Sequence, residues 1–187
     1  LFATGYIIIG TIILMAIFAP LITPFDPIKA DPANYLKPPG WPYLMGTDAT
    51  GMDILSRVIY APRVDLTIAL VGTLLSALIG VALGVVAGYY ESAGGWRNFA
   101  SGFVMRAADV QQAFPVFVFA VAVVAVMGQS VQSIVIAIVF VSAPTYLRLM
   151  RSQTLSIRRL RYVEAAYISG ASDIQIMLRH VIPNAIA

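Results

Sequence analysis

A chain of 187 residues that is 59% hydrophobic and only 11% charged cannot bury its apolar surface in a soluble fold of that size. Soluble domains ordinarily carry about 25% charged residues, so the solvent here is lipid. The formal charge of +3 is small, no nucleic acid is expected as a partner, and the absence of cysteine excludes disulfides, thiolate metal sites and a cysteine nucleophile.

Residues 1–25 carry no charge and end at Pro20 and Pro24. A helix rises about 1.5 Å per residue and needs about 20 residues to cross the hydrocarbon, so this is a first span. A signal peptide is the rival reading, with "AIFAP" as its small-residue cleavage site; the further spans and the missing basic leader speak against it. Residues 26–65 form an external loop that holds five of the eleven prolines between Pro27 and Pro42. Ile54, Leu55, Val58 and Ile59 have helical spacing, which predicts a short amphipathic helix over 53–60 at the membrane surface.

Residues 66–90 are a second charge-free span. Gly72, Ser76, Gly80, Gly84 and Gly88 recur every fourth residue and predict a ridge on which another helix backbone can settle closely. Residues 91–109 read as a polar interruption. The charge-free run from Val110 to Leu147 would be about 57 Å as one helix, too long for one crossing. Two spans are expected, turning at "GQSVQS", residues 128–133. Pro115 and Pro144 lie near the ends of this hairpin, each able to kink its helix; Pro115 equally suits a first helical turn.

From Arg148 onward six arginines face only Glu164 and Asp173, so the positive-inside rule makes this end cytoplasmic. Counting back, residues 91–109 are cytoplasmic, the proline-rich loop is outside and the N-terminus is inside. "YVEAAYISG" can form a short helix stopped by Gly170 in the left-handed conformation. "SDIQ" is a capping-box pattern that starts another helix, with Ile174, Met177, Leu178, Val181 and Ile182 as its apolar face. The segment reads as helix, sharp turn, helix, lying along the inner membrane surface.

"EAA", Gly170 and "IPNA" after a basic helix resemble the EAA loop of ABC-type importer permeases. "MGTDATGMDILSRVIYAPRVDL" is similar to an extracytoplasmic motif of the dipeptide, oligopeptide and nickel permeases, and "GVVAGYY" with "MRAADVQQAFP" to their next stretch. Met52 stands where that subfamily usually has arginine, and "ESAGGW" replaces a shorter turn. The resemblance implies an all-α, polytopic helix bundle of the type I importer permease fold, with four of six spans present. It divides the chain into a first span (1–25), an outer loop (26–65) and a truncated permease core (66–187).

The resemblance also implies roles. Glu164, Ala165, Ala166, Gly170, Ile182 and Pro183 would dock on an ATPase. Gly46, Thr47, Asp48, Gly51, Asp53, Ser56 and Arg57 would form the outer motif, where Asp48 and Asp53 cap turns or meet a binding protein. The partners would be a second permease subunit, as a heterodimer, two cytoplasmic ATP-binding subunits and an extracytoplasmic solute-binding protein. ATP and magnesium would sit on the ATPases, with no cofactor or metal here.

Chemistry of its own is not expected from this chain. It has one histidine, His180, no H-E-x-x-H, no G-x-S-x-G and no phosphate-cradling G-x-x-x-x-G-K-[ST]. The expected function is peptide or nickel import by alternating access in the cytoplasmic membrane of a bacterium or archaeon. The alternatives are a membrane scaffold or channel-like protein, or an inactive fragment.

Overall fold

The computed structural model describes residues 2–91 and 93–186. The described residues form helices and connecting loops with no strand, apart from one isolated bridge between Thr47 and Asp53. The chain divides into two compact units, Leu1–Leu70 and Val71–Ala187, and one long helix belongs to both.

In the first unit, α1 (Phe2–Ile22) is apolar on all sides, as a lipid-facing span must be. The proline-rich loop follows, with a single 3-10 turn at Pro32–Asn34. It is pinned to the start of α2 (Ile54–Tyr89), where Ser56 Oγ accepts from the Phe25 N–H at 3.0 Å.

Helix α2 corrects one expectation. The short amphipathic helix and the second span are one helix of 36 residues, about 54 Å long at the standard rise. Pro62 lies inside it without ending it. The first turns of α2 carry Arg57, Arg63 and Asp65 and extend past the length that hydrocarbon requires.

The second unit contains α3 (Gly95–Ala113), α4 (Val116–Met127) and α5 (Val131–Ile157). The polar interruption is thus largely helix. Helices α3 and α4 meet at an 88° bend. Pro115 sits just before α4, with extended backbone at Phe114, so the break falls where proline disfavours a helical predecessor. The turn after α4 starts at Gly128 with φ 82°, and Ser130 caps α5 through the Ser133 N–H. With 12 residues α4 covers about 18 Å, so the expected hairpin of two full spans becomes one long helix and one bent pair. Among the described residues three helices are long and apolar enough to cross a membrane, and the bent pair makes a fourth where it counts as one.

The small-residue ridge of α2 faces α5. A Cβ added at Gly80 would lie 2.6 Å from the Ala143 carbonyl oxygen, at Gly84 2.5 Å from that of Leu147, and at Gly88 2.8 Å from that of Arg151. Ser76 turns its hydroxyl back to the Gly72 carbonyl at 2.6 Å, so this buried polar atom is satisfied within its own helix. Backbone meets backbone along this seam, which is how helices associate where lipid removes the hydrophobic drive.

Pro144 lies inside α5 and cannot donate to the carbonyl of Phe140 four residues earlier. The Gln111 side-chain amide of α3 donates to that oxygen instead. A proline in a spanning helix is tolerated when a neighbour satisfies the freed carbonyl.

Candidate functional site

The segment after α5 folds as α6 (Arg161–Ile168), a turn at Gly170, α7 (Asp173–Ile176), a π turn over Met177–Val181 and α8 (Ile182–Ile186). Gly170 has φ 85°, with no atom within 4 Å of the place a Cβ would take. Its constraint is conformational: the left-handed region costs an ordinary residue about 1–2 kcal/mol. The Ala171 N–H donates to the Ala166 carbonyl at 3.0 Å and the Gly170 N–H to that of Tyr167, closing the end of α6. Ser172 and Gln175 form a reciprocal capping box at the start of α7.

Val163, Ile176, Met177 and Val181 are buried with Val85 of α2 and Met150 and Ile157 of α5 in one apolar cluster. This roots the turn in the membrane helices. The buried face differs from the expected one, because Ile174 and Leu178 point outward and Ile176 points in. The π turn adds a residue per turn and rotates the face just before Pro183. Beyond it the Asn184 side chain donates to the His180 carbonyl at 2.7 Å.

The residues expected to dock divide into two kinds. Glu164, Ala165, Gly170 and Pro183 are exposed, and Glu164 makes no ion pair among the described residues. Ala166 and Ile182 are half-buried against the apolar cluster, so their contacts are internal.

An unanticipated polar knot ties α7 to the ends of α2 and α3. The Asp173 carboxylate accepts from the Tyr89 hydroxyl at 3.1 Å, the Tyr90 hydroxyl at 3.2 Å and the Arg97 guanidinium at 3.0 Å. Arg97 also lies 5.0 Å from the centre of the Tyr90 ring. Arg158 caps α2 by donating to the carbonyls of Gly88, Tyr89 and Glu91 at 2.7–3.1 Å. Arg151 pairs with Glu91 at 2.7 Å, and Arg148 with Asp109 at 2.7 Å. Two of the arginines that orient the chain in sequence thus form ion pairs, and a third binds carbonyls. A cleft of about 520 Å³ opens beside the knot, lined by Arg97, Arg158, Arg159, Glu164 and Tyr167 among others. Adjacent tyrosines at the end of a span were the one sequence signal for this knot.

In the first unit the residues expected to form an outer motif bind one another. The Asp48 carboxylate accepts from the Thr50 N–H at 2.8 Å, the Thr50 hydroxyl at 2.6 Å and the Met52 N–H at 3.0 Å, and pairs with Arg57. The Thr50 hydrogen bonds lead in lowering its pKa to about 2. Asp53 is buried and caps α2, its Oδ2 accepting from the Ser56 N–H at 2.8 Å and hydroxyl at 2.7 Å. The Thr47 hydroxyl accepts from the Lys37 N–H at 2.8 Å and donates to the Asn34 carbonyl.

Gly51, with φ 78°, passes so close to the Asp31 carbonyl that a Cβ would lie 1.8 Å from its oxygen. Gly46 is similarly pressed on Lys37. These geometries give the motif a structural task, that of folding its own loop. Among the described residues no group of His, Asp and Glu could hold a metal ion.

Comparison with known proteins agrees with this architecture. Residues 80–187 match the family of binding-protein-dependent transport system inner membrane components. Residues 1–39 match the N-terminal transmembrane domain of oligopeptide transport permease C. A dipeptide transport system permease protein of Alkalihalophilus pseudofirmus is 37% identical over 98% of this chain and 58% of its own length. A glutathione transport system permease protein of Pectobacterium atrosepticum is 36% identical, covering 94% and 57%. A di/tripeptide transport system permease protein of Pseudomonas aeruginosa is 35% identical, covering 98% and 60%. The chain therefore spans about three fifths of the relatives it matches. Its helices, its seam and its sequence together establish a multi-pass protein of the cytoplasmic membrane that belongs to the family of binding-protein-dependent transport system inner membrane components.

Proposed function

We propose that the whole protein is a permease subunit of an ATP-driven importer that carries short peptides across the cytoplasmic membrane by alternating access. The observation that carries this reading is the exposed turn from Glu164 to Gly170, rooted by Val163, Ile176 and Val181 in a cluster shared with α2 and α5. A soluble partner that moves such a knob moves the membrane helices with it. Two ATP-binding subunits are the partners that would hold the knobs of this chain and of a second permease subunit. Glu164 and Ala165 would meet the ATPase surface, while Ala166 and Ile182 would hold the knob in shape. A solute-binding protein would deliver substrate on the outer side, and ATP and magnesium would bind the ATPase subunits.

Peptides are the favoured cargo because the relatives above are named for dipeptides, di/tripeptides and glutathione, itself a tripeptide. Nickel is the weaker alternative.

The test places a cysteine at the exposed Ser169 of the full-length gene. A thiol crosslinker is applied to inner membranes and the attached protein is identified by mass spectrometry. An ATP-binding subunit is the expected product. A properly inserted protein that attaches to no ATPase would overturn the docking role.

A further inference from the structure

Helix α3 has three faces. One is packed, with Ser101 and Ala108 buried and the Ser101 hydroxyl donating to the Ala87 carbonyl of α2 at 2.7 Å. A second carries Asn98, Arg106 and Asp109. The third is an apolar stripe of Trp96, Phe99, Phe103 and Val110, which are 75%, 75%, 64% and 63% exposed. At 100° per residue the four fall within about 60° of arc. Arg106 stands on the edge of the stripe, with no partner among the described residues.

We propose that α3 lies in the plane of the membrane, its stripe immersed at the boundary between headgroups and acyl chains, and its Arg106 among the phosphates. Three observations carry this. First, the 88° bend at Phe114–Pro115 means that if α4 runs along the bilayer normal, α3 must run along the surface. Second, the stripe is continuous with exposed apolar surface of a helix long enough to span: Phe103 and Ala107 share an apolar cleft of about 300 Å³ with Ile79 and Leu83 of α2. Third, aromatic residues beside a free arginine suit an interfacial helix, whose apolar face sinks about 5–10 Å while its charge stays in the headgroups.

The geometry has a consequence for α4. If α3 does not cross, α4 alone reaches about 18 Å, short of the roughly 30 Å hydrocarbon. Its turn would end near or below the outer headgroups. That turn is equipped for it, since the Ser133 hydroxyl donates to the Gly128 carbonyl at 2.7 Å and Ser130 caps the Ser133 N–H at 3.2 Å.

The experiment uses Trp96 as a depth gauge in the full-length permease, assembled with its partners. Trp41, 91% exposed in the outer loop, is replaced by phenylalanine together with any tryptophan beyond this segment. The protein is placed in vesicles of phosphatidylethanolamine and phosphatidylglycerol whose acyl chains are brominated at different depths. Trp96 should be quenched most strongly by bromine nearest the carbonyl end, and progressively less toward the methyl end. Because Trp96 lies at the start of α3, the gauge is also moved to position 103 by Trp96→Phe with Phe103→Trp, where the same shallow profile is expected. Strongest quenching at the methyl end there would place α3 across the bilayer as half of a broken span. No quenching at any depth would mean that water or another protein surface covers the stripe. Either result overturns the proposal. A spin label on Phe103→Cys, read by collision with oxygen against a water-soluble nickel chelate, checks the depth if the tryptophan variants fail to assemble.

Discussion

At the residue scale, Gly170 shows how a backbone conformation can matter where no contact is at stake. Gly170 has open space where a Cβ would stand, yet its φ of 85° confines it to a conformation that a β-branched residue resists. Gly170→Val should therefore distort the turn without loss of the apolar cluster, and should uncouple ATP hydrolysis from transport. Gly170→Asn, which tolerates the left-handed region, should retain most activity. Substrate uptake and stimulated ATPase activity of the reconstituted full-length assembly are the readouts. Normal values for Val, or equal loss with Asn, would show that backbone conformation is not what Gly170 supplies.

Asp48 acts by contact instead. Its carboxyl titrates near 2 in the folded loop against 3.8 ordinarily, chiefly through the Thr50 hydrogen bonds. A depressed carboxylate contributes its stability in full above the unfolded value, and that contribution is lost as pH falls through the folded one. Hydrogen exchange at the Thr50 and Met52 amides should thus be slower in the native protein than in Asp48→Asn above about pH 4. The difference should vanish toward pH 2. A difference that stayed constant across that window would mean the carboxylate does not hold these amides.

At the element scale, the seam between α2 and α5 sets how closely the two helices approach. A side chain at Gly84 would start 2.8 Å from the Met150 Cβ and 2.5 Å from the Leu147 carbonyl oxygen, neither of which can swing away. Gly84→Leu should destabilise by about 1–3 kcal/mol, the usual range for overpacking, or separate the helices altogether. Gly5→Leu in α1, where nothing stands within 4 Å, is the matched control and should be near neutral. Thermal unfolding of both variants in the same detergent compares them, and equal midpoints would remove the seam's claim to stability.

This ridge was legible in sequence because one property, small size, repeats at the helical period. The glycine turn and the capping box were legible because each needs only its own few residues. The Asp173 knot was not, since its four side chains come from three elements separated by up to 84 positions. Nor was the bend between α3 and α4. Pro115 marks a possible break, but its angle depends on what Gln111, Arg148 and Phe140 do across the interface with α5. The outer face of α7 was misjudged for a similar reason. Periodicity assumes a uniform turn, and the π turn at Met177–Val181 shifts the register.

At the scale of the whole molecule, charge decides what helices alone leave open. Six arginines from Arg148 onward lie against two acidic residues, while the proline-rich loop has four basic and five acidic ones. Arg148 and Arg151 are paired in the fold, yet they still carry their full charge during insertion, when the pairing has not formed. The positive-inside rule thus predicts Ser169 in the cytoplasm and Ile28 outside. Both are exposed, so a cysteine at either would not disturb packing.

In a full-length gene freed of any other cysteine, a membrane-impermeant maleimide applied to intact cells should label Ile28→Cys and spare Ser169→Cys. Inverted membrane vesicles should give the opposite pattern. Labelling of both from one side would require the loop and the turn to share a compartment, and hence an odd number of crossings fewer than the helices supply. That outcome would remove the α3–α4 pair from the count of membrane-crossing elements. It would also withdraw the turn at Gly170 from the reach of any cytoplasmic ATPase if the shared side were the outer one.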